Sequence, residues 1–245
     1  MITGAGAGIG LSIVKGLLEA QTVSLVVAVD LAIDELQVLA SSRPGKLVAV
    51  SGDVSDRLVN KKAIDTVIRT RGKLDSLILN AAVLRPVGPT AEINVEEWKR
   101  LIDVNFIALV HAIQLALPHL RKSRGQVLFT SSGVAARPFP AWIPYACSKA
   151  SVNCLASCLT VEENQVSFLC ITPGIVDSGM QRHVRDNEKS NLPPDQYKWL
   201  ASLHAEGKLL RPEEPAGSFV KLALGGVPKV LNGLVVPWDD PRLVC

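Results

Sequence analysis

Short runs rich in Val, Leu and Ile alternate along this chain with longer stretches whose apolar residues return every three or four positions. The short runs are Val23 to Val29, Lys46 to Val50, Leu74 to Leu79, Gln126 to Thr130, Val166 to Ile171 and Leu234 to Val236. Each reads as a strand buried on both faces, as in a parallel sheet. The clearest helical patterns are Ile9 to Ala20, with Ile13, Val14, Leu17 and Leu18 on one stripe, Val95 to Leu117, and Tyr145 to Leu159. Alternation of this kind predicts one α/β domain over 1–245, a doubly wound and mostly parallel sheet of about seven strands with helices on both faces. Pro138, Pro140 and Pro144 place a loop before the helix at Tyr145. Ser178 to Pro212 is polar, carries Pro193-Pro194 and lacks a strong period. It is expected to be an irregular excursion with short helices, serving as a lid beyond the carboxyl end of a strand.

Composition narrows the classes of function. The 245 residues are 48% hydrophobic and 20% charged, enough for a sizeable core. The net charge is only +3, with Lys and Arg scattered, which argues against a nucleic-acid partner. The most apolar stretch, Val23 to Val29, is far shorter than a membrane helix and is closed by Asp30, so no membrane partner is expected. Nothing at the amino terminus resembles a secretion leader, which points to the cytoplasm. The five cysteines, Cys147, Cys154, Cys158, Cys170 and Cys245, contain no CxxC pair. Reduced, mostly buried thiols that serve packing are expected in place of disulfides or zinc. His111, His119, His183 and His204 stand in no metal-like pairing, so no metal is expected.

Thr3-Gly4-Ala5-Gly6-Ala7-Gly8-Ile9-Gly10 runs straight into the first amphipathic helix. Glycines there let backbone amides approach an anion at a helix start, and a pyrophosphate fits that position. A purely structural turn would use the same glycines. Asp30 ends the next predicted strand 20 residues after Gly10, where a carboxylate can accept hydrogen bonds from an adenosine ribose and repel a 2′-phosphate. Ala7 and Leu31, where an Arg could hold such a phosphate, are neutral. The residues therefore favour NAD over NADP, although a solvated Asp at a strand end is the plainer reading of Asp30. Only three residues precede Gly4, about 10 Å of extended chain. Either part of a first strand is lacking from the sequence, or the sheet carries a stunted middle strand.

Tyr145-Ala146-Cys147-Ser148-Lys149 puts a phenol and an ammonium on one helix face. A cation beside a tyrosine is expected to stabilise the phenolate and lower its pKa, fitting Tyr145 to exchange a proton with a carbonyl oxygen. Ser132 lies 13 residues earlier at a strand end and could bond the same oxygen. A Tyr-x-x-x-Lys pair alone would more often be a surface pair.

The combination resembles the short-chain dehydrogenase/reductase family over nearly the whole chain. Thr3 to Gly10 is similar to TGxxxGxG, Asp53-Val54 to the adenine-contacting Asp-Val, and Asn80-Ala81 to the start of the NAG strand end. Asn105, Ser132, Tyr145 and Lys149 match the family's catalytic set, and Pro173-Gly174-Ile175-Val176-Asp177-Ser178 resembles PGxVxT. The resemblance implies a Rossmann-type fold and reduction of a ketone or diketone, or the reverse oxidation, with NAD(H) or NADP(H). It implies cofactor contacts from Gly4, Gly8, Ile9, Gly10, Asp30, Leu31, Asp53, Val54, Asn80, Ala81, Tyr145, Lys149, Pro173, Gly174, Ile175 and Ser178. Asn105 would hold a water linking Lys149 to solvent.

The partner is then a small carbonyl or alcohol substrate. A second copy of the chain is expected against the helices at Val95 and Tyr145, giving a homodimer. Ala82-Val83 departs from the family, which has glycine after its Asn-Ala. Val127-Leu128-Phe129-Thr130-Ser131-Ser132-Gly133, the run Val176-Asp177-Ser178-Gly179-Met180-Gln181, and Asn232-Gly233 followed by Asp240 are similar within the family to fungal benzil reductases and to sepiapterin reductase. Those enzymes mostly use NADPH, against the preference implied by Asp30. In sepiapterin-type enzymes a carboxyl-terminal acid anchors a substrate amine, and Asp240 holds the matching position; Ser132, Trp142 and Asp240 are therefore candidate substrate contacts, with Pro140 and Trp199 nearby. Two other readings are weighed: an inactive nucleotide-binding or interaction protein on the same fold, and a methyltransferase, which leaves Tyr145 and Lys149 unexplained.

Overall fold

The computed structural model describes residues 1–137 and 139–243; Pro138 and Cys245 lie outside the described residues. Seven strands form one parallel sheet: β1 (Ile2–Thr3), β2 (Val26–Asp30), β3 (Leu47–Ser51), β4 (Ser76–Leu79), β5 (Gln126–Thr130), β6 (Ser167–Thr172) and β7 (Val235–Pro237). Their order is β3-β2-β1-β4-β5-β6-β7, so the chain winds outward twice from the middle. The crevice at the reversal, between β1 and β4, is where open α/β sheets bind ligands.

The strands read as continuous apolar runs because both faces are covered. Val27 and Val29 of β2 join one core with Val127 and Phe129 of β5, beneath α3 (Arg57–Arg71), α5 (Ala108–Ser123) and α6 (Ile143–Glu162). Val26 and Ala28 point the other way with Leu128, Leu169 and Ile171, beneath α1 (Gly8–Glu19), α2 (Asp34–Ser42) and α9 (Glu213–Gly225). The sequence pattern did not single out α2, α3 or α9. In α3 only Asn60, Ala63, Ile64 and Val67 are buried, a stripe too thin to stand out.

The middle strand is as short as the sequence implied. Ile2 and Thr3 pair with Ala28 and Val29 on one side and with Ile78 and Leu79 on the other. The Met1 nitrogen extends this ladder by donating to the Ser76 carbonyl at 2.9 Å, and Ile78 N donates to Met1 O at 2.9 Å.

Ser178–Pro212 holds the short helices expected of it, α7 (Gly179–Asn187) and α8 (Pro194–Ala205). Two expectations need correcting. The cysteines are not mostly buried: Cys170 is, but Cys147, Cys154 and Cys158 lie exposed on the outer face of α6. Val23 to Val29 is not the stretch nearest in length to a membrane helix. Helix α4 (Val95–Ile102) runs through a π-helical turn, Asp103–Ile107, into α5. The resulting 29-residue helix is, by length and composition, able to cross a membrane. Here its apolar face, including Leu109, Ile113 and Leu120, is buried against the sheet.

Candidate active site

The glycine turn follows β1 and is shaped by what surrounds it. Gly4 and Gly8 have positive φ, 63° and 51°, which favours residues without a Cβ. A Cβ on Gly10 would stand 1.9 Å from the Gly4 carbonyl oxygen and 2.8 Å from Asn80 Nδ2, so this helix start is pressed against the turn. Gly10→Ala is therefore expected to cost about 2–3 kcal/mol of stability by overpacking. An unchanged urea midpoint in that variant would show slack in the turn. Helix α1 has no side-chain cap and no acid in its first turn, so its free amides remain for an anion. A Cβ on Gly8 would lie 3.7 Å from Ser178 Cβ, which brings the loop after β6 to the same turn.

Asp30 closes the turn from β2. Its Oδ2 accepts from Gly6 N at 2.8 Å and its Oδ1 from Ala32 N at 3.1 Å, so the carboxylate is a built part of the loop. Leu31 beside it is exposed. Asp53 and Val54, expected at the adenine end, lie after β3. Partial burial opposes ionisation of Asp53, but hydrogen bonds from Ser55 and Arg100, together with the Arg100 charge, hold its pKa below the usual value. Arg100 of α4 also donates to Ser55 Oγ at 2.6 Å. No motif marks Arg100 in the sequence, and its distance of 47 residues from Asp53 hid the pairing.

Between the turn and the helix bearing Tyr145 runs a chain of hydrogen bonds. Thr3 Oγ1 accepts from Asn80 N and Ala81 N, each at 3.2 Å, and Asn80 Nδ2 donates to Gly4 O at 2.9 Å. Thr130 Oγ1 donates to Asn80 Oδ1 at 3.0 Å, while the Thr130 carbonyl accepts from Lys149 Nζ at 2.7 Å. The sequence reading missed Thr130, since the carbonyl that holds Lys149 is one any residue has.

Tyr145 and Lys149 lie on the buried face of α6, with Lys149 2% exposed. Lys149 Nζ sits 5.7 Å from the centroid of the Tyr145 ring. The phenol is nevertheless not lowered in pKa. Burial pushes it up to about 12, and the hydrogen bond with Ser132 recovers only part of that rise. Burial likewise lowers Lys149 to about 8. Desolvation outweighs the expected charge effect because both groups are cut off from water. Ser132 Oγ accepts from Val134 N at 3.4 Å.

Asn105 lies in the π-helical turn, a distortion frequent at functional sites. It is fully buried, exchanges 2.8 Å hydrogen bonds with both backbone groups of Val83, and donates to Ser148 Oγ at 3.1 Å. Ser148 in turn donates to the Tyr145 carbonyl at 2.7 Å. The irregular Ala82-Val83 segment is thereby tied to α6.

Past β6, Gly174 turns with φ 75°, and Leu210 N donates to Ile175 O at 3.0 Å. Ser178 caps α7, accepting from Gln181 N at 3.4 Å. Trp142 packs edge-on to Tyr145 with centroids 6.2 Å apart, and its buried Nε1 has no hydrogen-bond partner. Val184, Leu192 and Leu200 of the α7–α8 segment gather with Tyr145 in one apolar cluster, and Trp199 stacks on Phe139 at 5.9 Å. Asp240 does not stand free as a substrate anchor. Arg242 engages both its oxygens and holds its carboxyl down at about 2.

Residues 1–189 match the family described as short chain dehydrogenase. An uncharacterized oxidoreductase of Schizosaccharomyces pombe is 40% identical over 242 residues, covering 98% of this chain and 96% of that protein. Benzil reductase ((S)-benzoin forming) of Saccharomyces cerevisiae is 34% identical over 253 residues, 99% and 96% of the two chains. A solved short chain dehydrogenase/reductase structure from Saccharomyces cerevisiae superposes with a TM-score of 0.97 at 37% identity, covering 99% of this chain and 96% of that one.

Proposed function

Because the chain belongs to the short-chain dehydrogenase family, we propose that it reduces a ketone or diketone to the alcohol, or runs the reverse oxidation, with Tyr145 as the proton donor or acceptor. The observation that carries this reading is the meeting of Ser132, Tyr145 and Lys149 at the carboxyl end of β5. A phenol held up at about 12 keeps its proton at neutral pH and is ready to hand it to a developing alkoxide. The Ser132 hydroxyl beside it can bond the same substrate oxygen. Lys149, bound to the Thr130 carbonyl, supplies positive charge below the ring.

The residues fit a nicotinamide dinucleotide. The turn at Gly4 to Gly10 and the uncapped start of α1 would hold its pyrophosphate, Asp30 its ribose, and Asp53, Val54, Asn80, Ala81 and the segment Pro173 to Ser178 its flanks. When bound, this group supplies or accepts the hydride.

Asp30 supports a preference for NADH, since a carboxylate at the ribose end repels a 2′-phosphate. Asp30→Asn should narrow the ratio of NADPH to NADH dissociation constants about tenfold. A ratio unmoved by the substitution would mean that Asp30 serves only the turn. The α7–α8 segment acts as the lid, and its contacts with Tyr145, Trp142 and Phe139 favour a carbonyl carried on an aromatic or cyclic body. The similar benzil reductase supports the same class.

The direct test offers aromatic diketones, pterins and simple ketones to the protein with each reduced cofactor and follows loss of nicotinamide absorbance. Turnover of a ketone or diketone supports the assignment. Binding of neither cofactor, seen as unchanged NADH and NADPH fluorescence on mixing, would defeat it.

A further inference from the structure

Tyr145 is only 7% exposed and shares its apolar cluster with Val184, Leu192 and Leu200 of the α7–α8 segment. A ketone reaches the phenol only after that cover moves. The segment is tied to the rest of the molecule at two places. At its base the two ends lie side by side, with Asp177 N donating to Leu210 O at 2.8 Å and Leu210 N to Ile175 O at 3.0 Å. At its tip the turn from α7 to α8 meets the loop after β4, where Leu192 joins Leu84 and Val87 in the same cluster. Main-chain bonds make the base a hinge, so the tip is the end that travels.

Glu188 organises that tip. Its side chain is 2% exposed although it is an acid. Oε1 accepts from His183 Nε2 at 2.8 Å, and Oε2 accepts from Asn191 Nδ2 at 2.7 Å. Asn187 Nδ2 donates to the other ring nitrogen of His183 at 3.2 Å, so His183 serves as a neutral donor. The positive charge that faces the carboxylate therefore comes from across the seam. Arg85 Nε, in the loop after β4, stands 3.9 Å from Glu188 Oε1, too far for a hydrogen bond and close enough for attraction. The Arg85 side chain is itself 63% exposed. The seam beside the pair is loosely filled, with a cavity of about 200 Å³ lined by Arg85, Pro86, Asn94 and Asn191.

Resting on the reading of α7–α8 as the lid of the proposed active site, we propose that Glu188 and Arg85 are its latch, a charge pair that holds the lid closed over Tyr145. When the lid is closed the buried carboxylate needs the guanidinium, because a charge taken out of water without a counter-charge is costly. When the tip swings away both groups regain water, so the pair releases and re-forms. A fully buried, bidentate pair would lock the segment shut. A pair with one member half in water is weak enough to break in each turnover.

The test follows amide hydrogen exchange of the full-length chain by mass spectrometry, with neither substrate nor cofactor added. Arg85→Ala is expected to speed exchange across α7–α8 about three- to fivefold, the range of a pair half open to water, and to leave α5 and α6 unchanged. Arg85→Lys should keep native exchange, since attraction at this distance needs the charge and not the planar fork. Glu188→Gln should speed exchange of the same segment, and adding Arg85→Ala to it should bring no further change. Native exchange in Arg85→Ala, loss of protection throughout the chain, faster exchange in Arg85→Lys, or additive effects in the double variant would each overturn the latch. The readout needs no turnover. A failed carbonyl assay leaves it readable, and a failed latch leaves the role of Tyr145 standing.

Discussion

Tyr145→Phe is expected to lower kcat/KM for carbonyl reduction about 10²- to 10⁴-fold while leaving NADH binding within about twofold. That loss corresponds to roughly 3–5 kcal/mol of transition-state stabilisation. The substitution deletes one hydroxyl and keeps the ring that packs on Trp142 and lies over Lys149, so the fold should not pay for it. The acid role follows from the surroundings of the phenol. Burial holds its proton in place at neutral pH, and the Ser132 hydroxyl bonds it without displacing the proton. Steady-state turnover alongside a fluorescence titration of NADH separates the two effects. Undiminished turnover in this variant would mean that another group delivers the proton, and the assignment of Tyr145 would be wrong.

Lys149→Met should abolish most turnover and at the same time make the protein more stable at pH 7. The native side chain is 2% exposed, and burial holds its pKa at about 8 against an ordinary 10.5. Below about pH 8 the folded chain carries an ammonium that it would rather not bury, a penalty of up to about 3 kcal/mol. Methionine removes that penalty but leaves the Thr130 carbonyl without the 2.7 Å donor, which returns part of it. A net gain of about 1–2 kcal/mol is expected, or a few degrees in Tm. The sign with pH follows from a lowered folded-state pKa. Between about pH 8 and 10.5 the unfolded chain binds the proton and the folded chain does not, so native stability rises with pH. The advantage of the variant should therefore shrink across that window in urea denaturation. A variant less stable than the native chain at every pH would show that Lys149 contributes to the fold as well as to chemistry.

In the proposed reaction, Lys149 would trade stability of the fold for a positive charge beside the phenol. The same trade is visible in the π-helical turn at Asn105. It interrupts a long regular helix to aim one amide at the Val83 backbone and at Ser148.

Much of this was legible along the chain. Strand β5 coincides with the apolar run read from the sequence, and β2, β3, β6 and β7 lie within a few residues of their runs. Unbroken apolar runs and a period of 3.6 are properties of consecutive residues, so they survive without knowledge of neighbours. The glycine turn, Asp30 and the Tyr-x-x-x-Lys spacing were legible for the same reason. Helix α3 escaped notice because its buried stripe is narrow and its surface polar.

Folding alone decided the rest. Whether the phenol of Tyr145 moves up or down depends on how much water the α7–α8 segment and Trp142 exclude from it, and those groups arrive from different parts of the chain. Asp53 meets Arg100 across 47 residues, an ion pair no local pattern announces. Asp240, only two residues from Arg242, shows that even close sequence neighbours choose partners by backbone geometry. Residue order determined the winding of the sheet and which chemical groups line its carboxyl end, because backbone periodicity is local. Desolvation and pairing set the charge each group carries, and they exist only once distant segments have come together.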